Sequence, residues 1–121
     1  MARKPIINPD ELLESTACRI QLTSWEKYQK QLEHEDSRTY VMMTIFRTMD
    51  SIRKGTPNER LLWWELIRLS GAGRRKGWVV IGDNEPITPA DLSSILNLDV
   101  KVVIDGLREN MKQRRITCNS A

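Results

Sequence analysis

The chain of 121 residues has one histidine, two cysteines, one phenylalanine and no long apolar run. Its apolar stretches, such as Trp78-Val79-Val80-Ile81, fall far short of the roughly 20 residues that a membrane-spanning helix needs. The opening MARKPIINPDELLES has basic residues but lacks the apolar core of a secretory signal. Without a secretory context, Cys18 and Cys118 are expected to be reduced thiols in a cytoplasmic compartment. The single His34 sits in the charged run Glu33-His34-Glu35-Asp36, which reads as a solvated helix end. With two distant cysteines it cannot complete a tetrahedral zinc site, so no metal and no other cofactor is expected. Gly71-Ala72-Gly73 lacks the following Gly-Lys-Ser/Thr of a phosphate loop and reads as a helix terminator. The carboxylates are scattered along amphipathic patterns with no pair marked as acid and base. The expectation is a protein that is not an enzyme.

What is present is an ordinary globular composition, 40% hydrophobic and 29% charged, at a length that fits one domain or one domain with an arm. The net charge of +3 permits a nucleic-acid partner without arguing for one, so local clusters must carry that case.

Helix starts are well marked. Asn8-Pro9-Asp10-Glu11 and Thr23-Ser24-Trp25-Glu26 each place a capping side chain before a first turn with a carboxylate. The second opens a helix to about Glu35 with a narrow stripe of Trp25, Tyr28 and Leu32. Residues 37–54 carry Val41, Met42, Ile45, Phe46, Met49 and Ile52 on one broad helical face, and Gly55 stops it. Thr56-Pro57-Asn58-Glu59 is the strongest cap. The helix behind it, to about Ser70, is apolar around most of its circumference and is expected to be central and buried. Trp78–Ile81 is the strong strand signal, closed by Gly82-Asp83-Asn84. Thr88 caps a short helix to about Leu96, and Asp99 caps a longer one to about Gln113. A short strand near Arg115–Cys118 is expected to pair with Trp78–Ile81.

From Pro57 onward the order helix, strand, helix, turn, helix, strand is that of a winged helix. The expected fold is mainly α: a winged helix-turn-helix with a small β-hairpin over residues 56–121, behind an N-terminal helical extension over 1–55. No residues supply a second half to the wing, so a third strand would need residues beyond Ala121 or be absent. The Tyr40–Ile52 stripe, with the chain's methionines, reads as an adaptable partner groove or, as such stripes more often are, as core; with the Trp25/Tyr28/Leu32 stripe it suits packing partly across a homodimer.

The run LLWWELIRLSGAGRRKGWVVIGDNEPITPADLSSILNLDVKVVIDGLREN resembles the N-terminal winged-helix domains of phage replication proteins, the replisome-organiser type and their DnaD-like primosomal relatives. The resemblance rests on an aromatic-rich helix, a basic loop, a strand ending in a turn, and a Thr/Pro-capped Leu-x-x-Ile-Leu before a second helix. It implies a role in a phage or mobile-element DNA replication system, with DNA and a replication protein as partners. Asn110 stands where a Leu commonly closes the core, and Arg114 where a Gly commonly ends the last helix.

In a helix-turn-helix the second helix enters the major groove. Leu98, Val103 and Leu107 have inward spacing, which leaves Asp99, Val100, Lys101, Ile104, Asp105 and Arg108 outward. Of these only Lys101 and Arg108 are suited to read bases, and the aspartates repel phosphate. The basic clusters Arg74, Arg75, Lys76 and Lys112, Arg114, Arg115 lead into the two strands, where they suit sequence-independent phosphate contacts. Isolated basic loops are usually only solvated; two on one sheet favour a shared surface. Trp63 and Trp64 are expected in the core, and Trp78, beside the basic loop, is the tryptophan worth testing for base stacking. The expected function is therefore nucleic-acid binding or assembly without catalysis. The alternatives are a protein-interaction adaptor that does not touch DNA and a dimeric transcription regulator.

Overall fold

The computed structural model of the chain describes residues 5–23, 25 and 55–120. The helices expected to about Glu35 and over 37–54, with His34 and the Val41–Ile52 stripe, lie outside the described residues apart from Trp25. The described chain is helix-rich, with three α-helices and one small antiparallel sheet.

The strongest cap in the sequence opens helix α1, Pro57–Ala72, where the Thr56 hydroxyl accepts from the Glu59 N–H at 3.1 Å. The helix ends at Gly73, whose N–H bonds Leu69 O. Leu62, Leu66 and Ile67 form its inner face. Leu61 and Trp64 remain 42% and 49% exposed, which corrects the expectation of burial all round. The helix over Val100–Lys112 and the sheet pack against α1, and Leu61 and Trp64 lie on its exposed side. Trp63 is half-buried rather than a full core residue.

Helix α2, Pro89–Leu96, starts from a reciprocal capping box. The Asp91 N–H donates to the Thr88 hydroxyl, and the Thr88 N–H donates to the Asp91 carboxylate, both at 3.0 Å. Asn97 then turns through the left-handed region (φ 54°). Asp99 caps helix α3, Val100–Lys112. Val103 and Leu107 are fully buried as the spacing predicts, and Leu98 packs against the core. Helices α1 and α3 meet at Gly106, where a Cβ would lie 2.7 Å from Leu62 Cβ and 2.9 Å from Asn58 O. That approach requires glycine.

The sheet differs most from expectation. Its order is β2-β1-β3, made of β1 (Cys18–Leu22), β2 (Trp78–Val79) and β3 (Ile116–Ser120), with each neighbouring pair antiparallel. The expected direct pairing of the last strand with Trp78–Ile81 is corrected, because β1 stands between them. The third strand comes from the N-terminal part of the chain. Residues expected to belong to a separate helical extension are therefore partly built into the sheet: Leu12, Cys18 and Ile20 are fully buried in the common core. The local cause is alternation, since Cys18-Arg19-Ile20-Gln21-Leu22 puts apolar residues on one face at period two. The segment before β1 runs along the free edge of β3, with Ile7 N–H to Cys118 O and Ser120 N–H to Pro5 O. The cap at Asn8 opens only a single 3-10 turn, Pro9–Glu11, which ends where Leu12 turns extended.

The junction between α3 and β3 explains both unusual residues. Arg114 takes φ 60°. Its N–H bonds Met111 O and the Arg115 N–H bonds Asn110 O, both at 3.0 Å, which closes the helix in the glycine-type left-handed stop. Asn110 is fully buried yet donates to Gly106 O at 2.8 Å and Glu59 O at 3.1 Å. Its carbonyl accepts from Arg115. The amide replaces an apolar contact with a satisfied polar one that ties α3 to α1.

Candidate nucleic-acid interface

Because β1 runs antiparallel to both neighbours, β2 and β3 run parallel and begin at the same end of the sheet. Trp78 pairs with Gln21 there, and Ile116 with Leu22. The loops leading into them, Arg74–Gly77 and Gln113–Arg115, thus lie about 10 Å apart, two strand spacings. Gly77 enters β2 at φ 85°, with Trp25 against its α-carbon. Thr23 ties the other loop down by donating its hydroxyl to Arg114 O at 2.7 Å and Arg115 O at 2.8 Å.

The eight basic residues singled out from the sequence divide by what already holds them. Arg115 is buried, paired with the Glu59 carboxylate and Asn110, with Trp63 beneath its guanidinium. It is a core residue, and the expectation that it contacts nucleic acid is corrected. Its side chain turns inward because residue 115 follows the left-handed stop and must enter β3. Arg108 donates to Pro9 O at 3.0 Å and Leu12 O at 2.7 Å, so it fastens the N-terminal segment to α3. Lys76 donates to Gly71 O at 2.7 Å at the carbonyl end of α1, where a cation is favoured. Arg75 bonds the Asn84 side chain and lies 3.8 Å from the centroid of the Trp78 ring. That guanidinium covers one ring face that a stacked base would need.

Arg74, Lys101, Lys112 and Arg114 are exposed. Arg74 has one weak partner, Asp83 at 3.7 Å, with both side chains more than three-quarters exposed. Such a pair contributes little and yields readily to a phosphate. Lys101 and Lys112 sit on the outer face of α3, about 16 Å apart along it. Asp105 and Arg108 occupy the same stripe between them.

Sequence reading missed Arg19. It projects from the outer face of the sheet with Gln21, Thr117 and Asn119, by the same alternation that buries Cys18 and Ile20. Its Nε donates to Asn84 O at 2.7 Å, and recognising Cys18–Leu22 as a strand would have placed it.

Among the described residues no group of three or more His, Cys, Asp or Glu side chains could hold a metal, and no helix is long and apolar enough to cross a membrane. An open cleft of about 210 Å³ runs along the free edge of β2, lined by Leu69, Ala72, Trp78, Ile87 and Ile95. Asp91 on α2 is held below the usual carboxylate range by the Thr88 backbone N–H and then its hydroxyl. In comparisons with known proteins, no family model, no curated protein and no solved structure matches the chain.

Proposed function

We propose that the chain is a nucleic-acid-binding or assembly module of winged-helix type that acts without catalysis and contacts phosphates through Arg74, Lys112 and Arg114. The observation that carries this reading is the parallel run of β2 and β3 on either side of β1, which brings exposed Arg74 in the loop before β2 and exposed Lys112 and Arg114 at the α3–β3 junction to one end of the sheet. Binding there is sequence-independent and falls steeply with salt. The winged-helix reading is supported by the element order from α1 to β3, with β1 as the third strand. The setting in a phage or mobile-element replication system rests on the sequence resemblance alone.

Base reading by α3 is the weaker part of that scheme. Arg108 is engaged by Pro9 and Leu12, and Asp105 and Glu109 flank the remaining lysines. Only Lys101 stays available near the helix N-terminus, where base contacts are made.

A second reading, a protein-interaction adaptor, has its own observation. Leu61 and Trp64 form an exposed apolar strip on α1, and Ile95 is 54% exposed beside the β2 cleft. Anisotropy titrations with random duplex and single-stranded DNA at two salt concentrations separate the two. The proposal expects binding at low salt that weakens sharply at high salt. A folded protein that binds neither form at low salt favours the adaptor.

A further inference from the structure

Cys18 and Cys118 lie near opposite ends of the sequence, yet the sheet brings them together. In the β1–β3 register Cys18 stands opposite Ser120 and Cys118 opposite Ile20, so the two are diagonal neighbours. Both face the core, both are fully buried, and both are free thiols. The backbone of Cys18 exchanges hydrogen bonds with Ile87, and the Cys118 carbonyl accepts from Ile7. Each cysteine therefore turns its backbone groups away from the other strand. The pairs 18/120 and 20/118 are the close, non-hydrogen-bonded kind. The right-handed twist of the strands draws the diagonal between their N-terminal members closer still.

The register puts both thiols on the core-facing side of adjacent strands. The Cys118 thiol hydrogen-bonds Cys18 and lowers its pKa, while the same contact and burial push Cys118 up. One sulfur is thus predisposed to be the thiolate and the other to carry the proton. Nothing in the proposed phosphate surface uses either.

We propose that Cys18 and Cys118 are an oxidisable pair that closes into an intramolecular disulfide when hydrogen peroxide reaches the core, locking the first strand to the last. The Cys18 thiolate attacks one peroxide oxygen, the O–O bond breaks, and hydroxide leaves, so Cys18 becomes a sulfenic acid. The Cys118 sulfur then attacks the Cys18 sulfur. The S–S bond forms as the S–O bond breaks, and the departing oxygen takes the Cys118 proton and leaves as water. Overall two thiols are oxidised and one peroxide is reduced to two waters. Peroxide is small and neutral, and it can enter by local opening of the strands.

The consequence is mechanical. Strand β1 joins β2 to β3, and Cys18 also bridges to the segment before α2. A bond from Cys18 to Cys118 closes a loop that spans most of the chain, which restricts the unfolded state strongly. The oxidised protein is expected to melt at a higher temperature than the reduced one.

The test treats the native full chain with hydrogen peroxide, quenches, and unfolds it in guanidinium with N-ethylmaleimide before intact-mass and peptide analysis. The expected product has lost two hydrogens, takes up no maleimide, yields a linked Cys18–Cys118 peptide, and melts higher until dithiothreitol reverses both changes. In Cys118→Ser, Cys18 stops at the sulfenic acid and is trapped by dimedone; in Cys18→Ser, Cys118 forms no such adduct. If either variant fails to fold, the wild-type labelling decides alone. The proposal is overturned if both thiols still take maleimide after peroxide. Sulfinic acid without a crosslink, disulfides only between chains, or an unchanged melting point after crosslinking would overturn it equally.

Discussion

Arg115, just beyond the end of α3, reaches Glu59 in the first turn of α1, and the two form an ion pair with side chains 8% and 2% exposed. Asn110 bonds both residues, through its carbonyl to Arg115 and through its amide to the Glu59 backbone carbonyl. Two charges taken out of water this way are stable only as a set, because removing one leaves the other buried and unpaired. Glu59→Gln should therefore lose about 3–5 kcal/mol in urea denaturation. The double variant Glu59→Leu/Arg115→Met should recover most of that loss. A single variant as stable as wild type would show that the pair does not hold α1 to β3.

Gly106 lets α1 and α3 touch. Alanine there gains about 1 kcal/mol of helix propensity. It must also place a methyl against Leu62 and the Asn58 carbonyl, one of which is backbone and cannot move cheaply. Overpacking should win, and Gly106→Ala should lower stability by about 1–3 kcal/mol. A rise in the urea midpoint would contradict the close packing.

Arg114 holds a left-handed conformation that glycine adopts without cost. Arg114→Gly should raise stability by about 1 kcal/mol, while Arg114→Ala, which keeps the Cβ, should not. The same Gly variant removes an exposed cation and should weaken DNA binding. Stability and binding then move in opposite directions in a single protein.

The Thr88–Asp91 capping box gives α2 a pH dependence. The Asp91 carboxyl is depressed in the folded chain by the Thr88 N–H and hydroxyl. Its contribution is thus fully present above the unfolded aspartate pKa and disappears as pH falls through the lower folded value. The stability difference between wild type and Asp91→Asn should hold steady from pH 7 down to about 4, the ordinary aspartate range, and shrink below it. A difference that grows on acidification would contradict the assignment. Thr88→Ala should cost about 1 kcal/mol at neutral pH.

The helices were legible because their signals are local. Thr56, Thr88 and Asp99 cap the helices that they mark, and the spacing of Val103 and Leu107 put both in the core. The sheet was not legible in the same way. Cys18–Leu22 alternates like a strand, but it lies far in sequence from both partners, and strand pairing over such distances leaves no local trace. Missing it hid Arg19, the sheet order and the meeting of the cysteines. The basic residues failed differently. Charge in the sequence cannot tell Arg115, turned inward by the left-handed residue before it, from Arg114, which stays outside. Trp64 carried a similar ambiguity, since an apolar helix position is core only if something packs on it.

The proposed phosphate site joins Arg74 in the loop before β2 with Lys112 and Arg114 at the α3–β3 junction. Its most direct test is the salt dependence of duplex binding for wild type and for Arg74→Ala/Lys112→Ala/Arg114→Ala, with circular dichroism to confirm that the variant is folded. Each lost phosphate contact removes about one unit from the slope of log K against log salt. The triple variant should bind more weakly at low salt, with a slope shallower by about 3. An unchanged slope and affinity in a folded triple variant would contradict it.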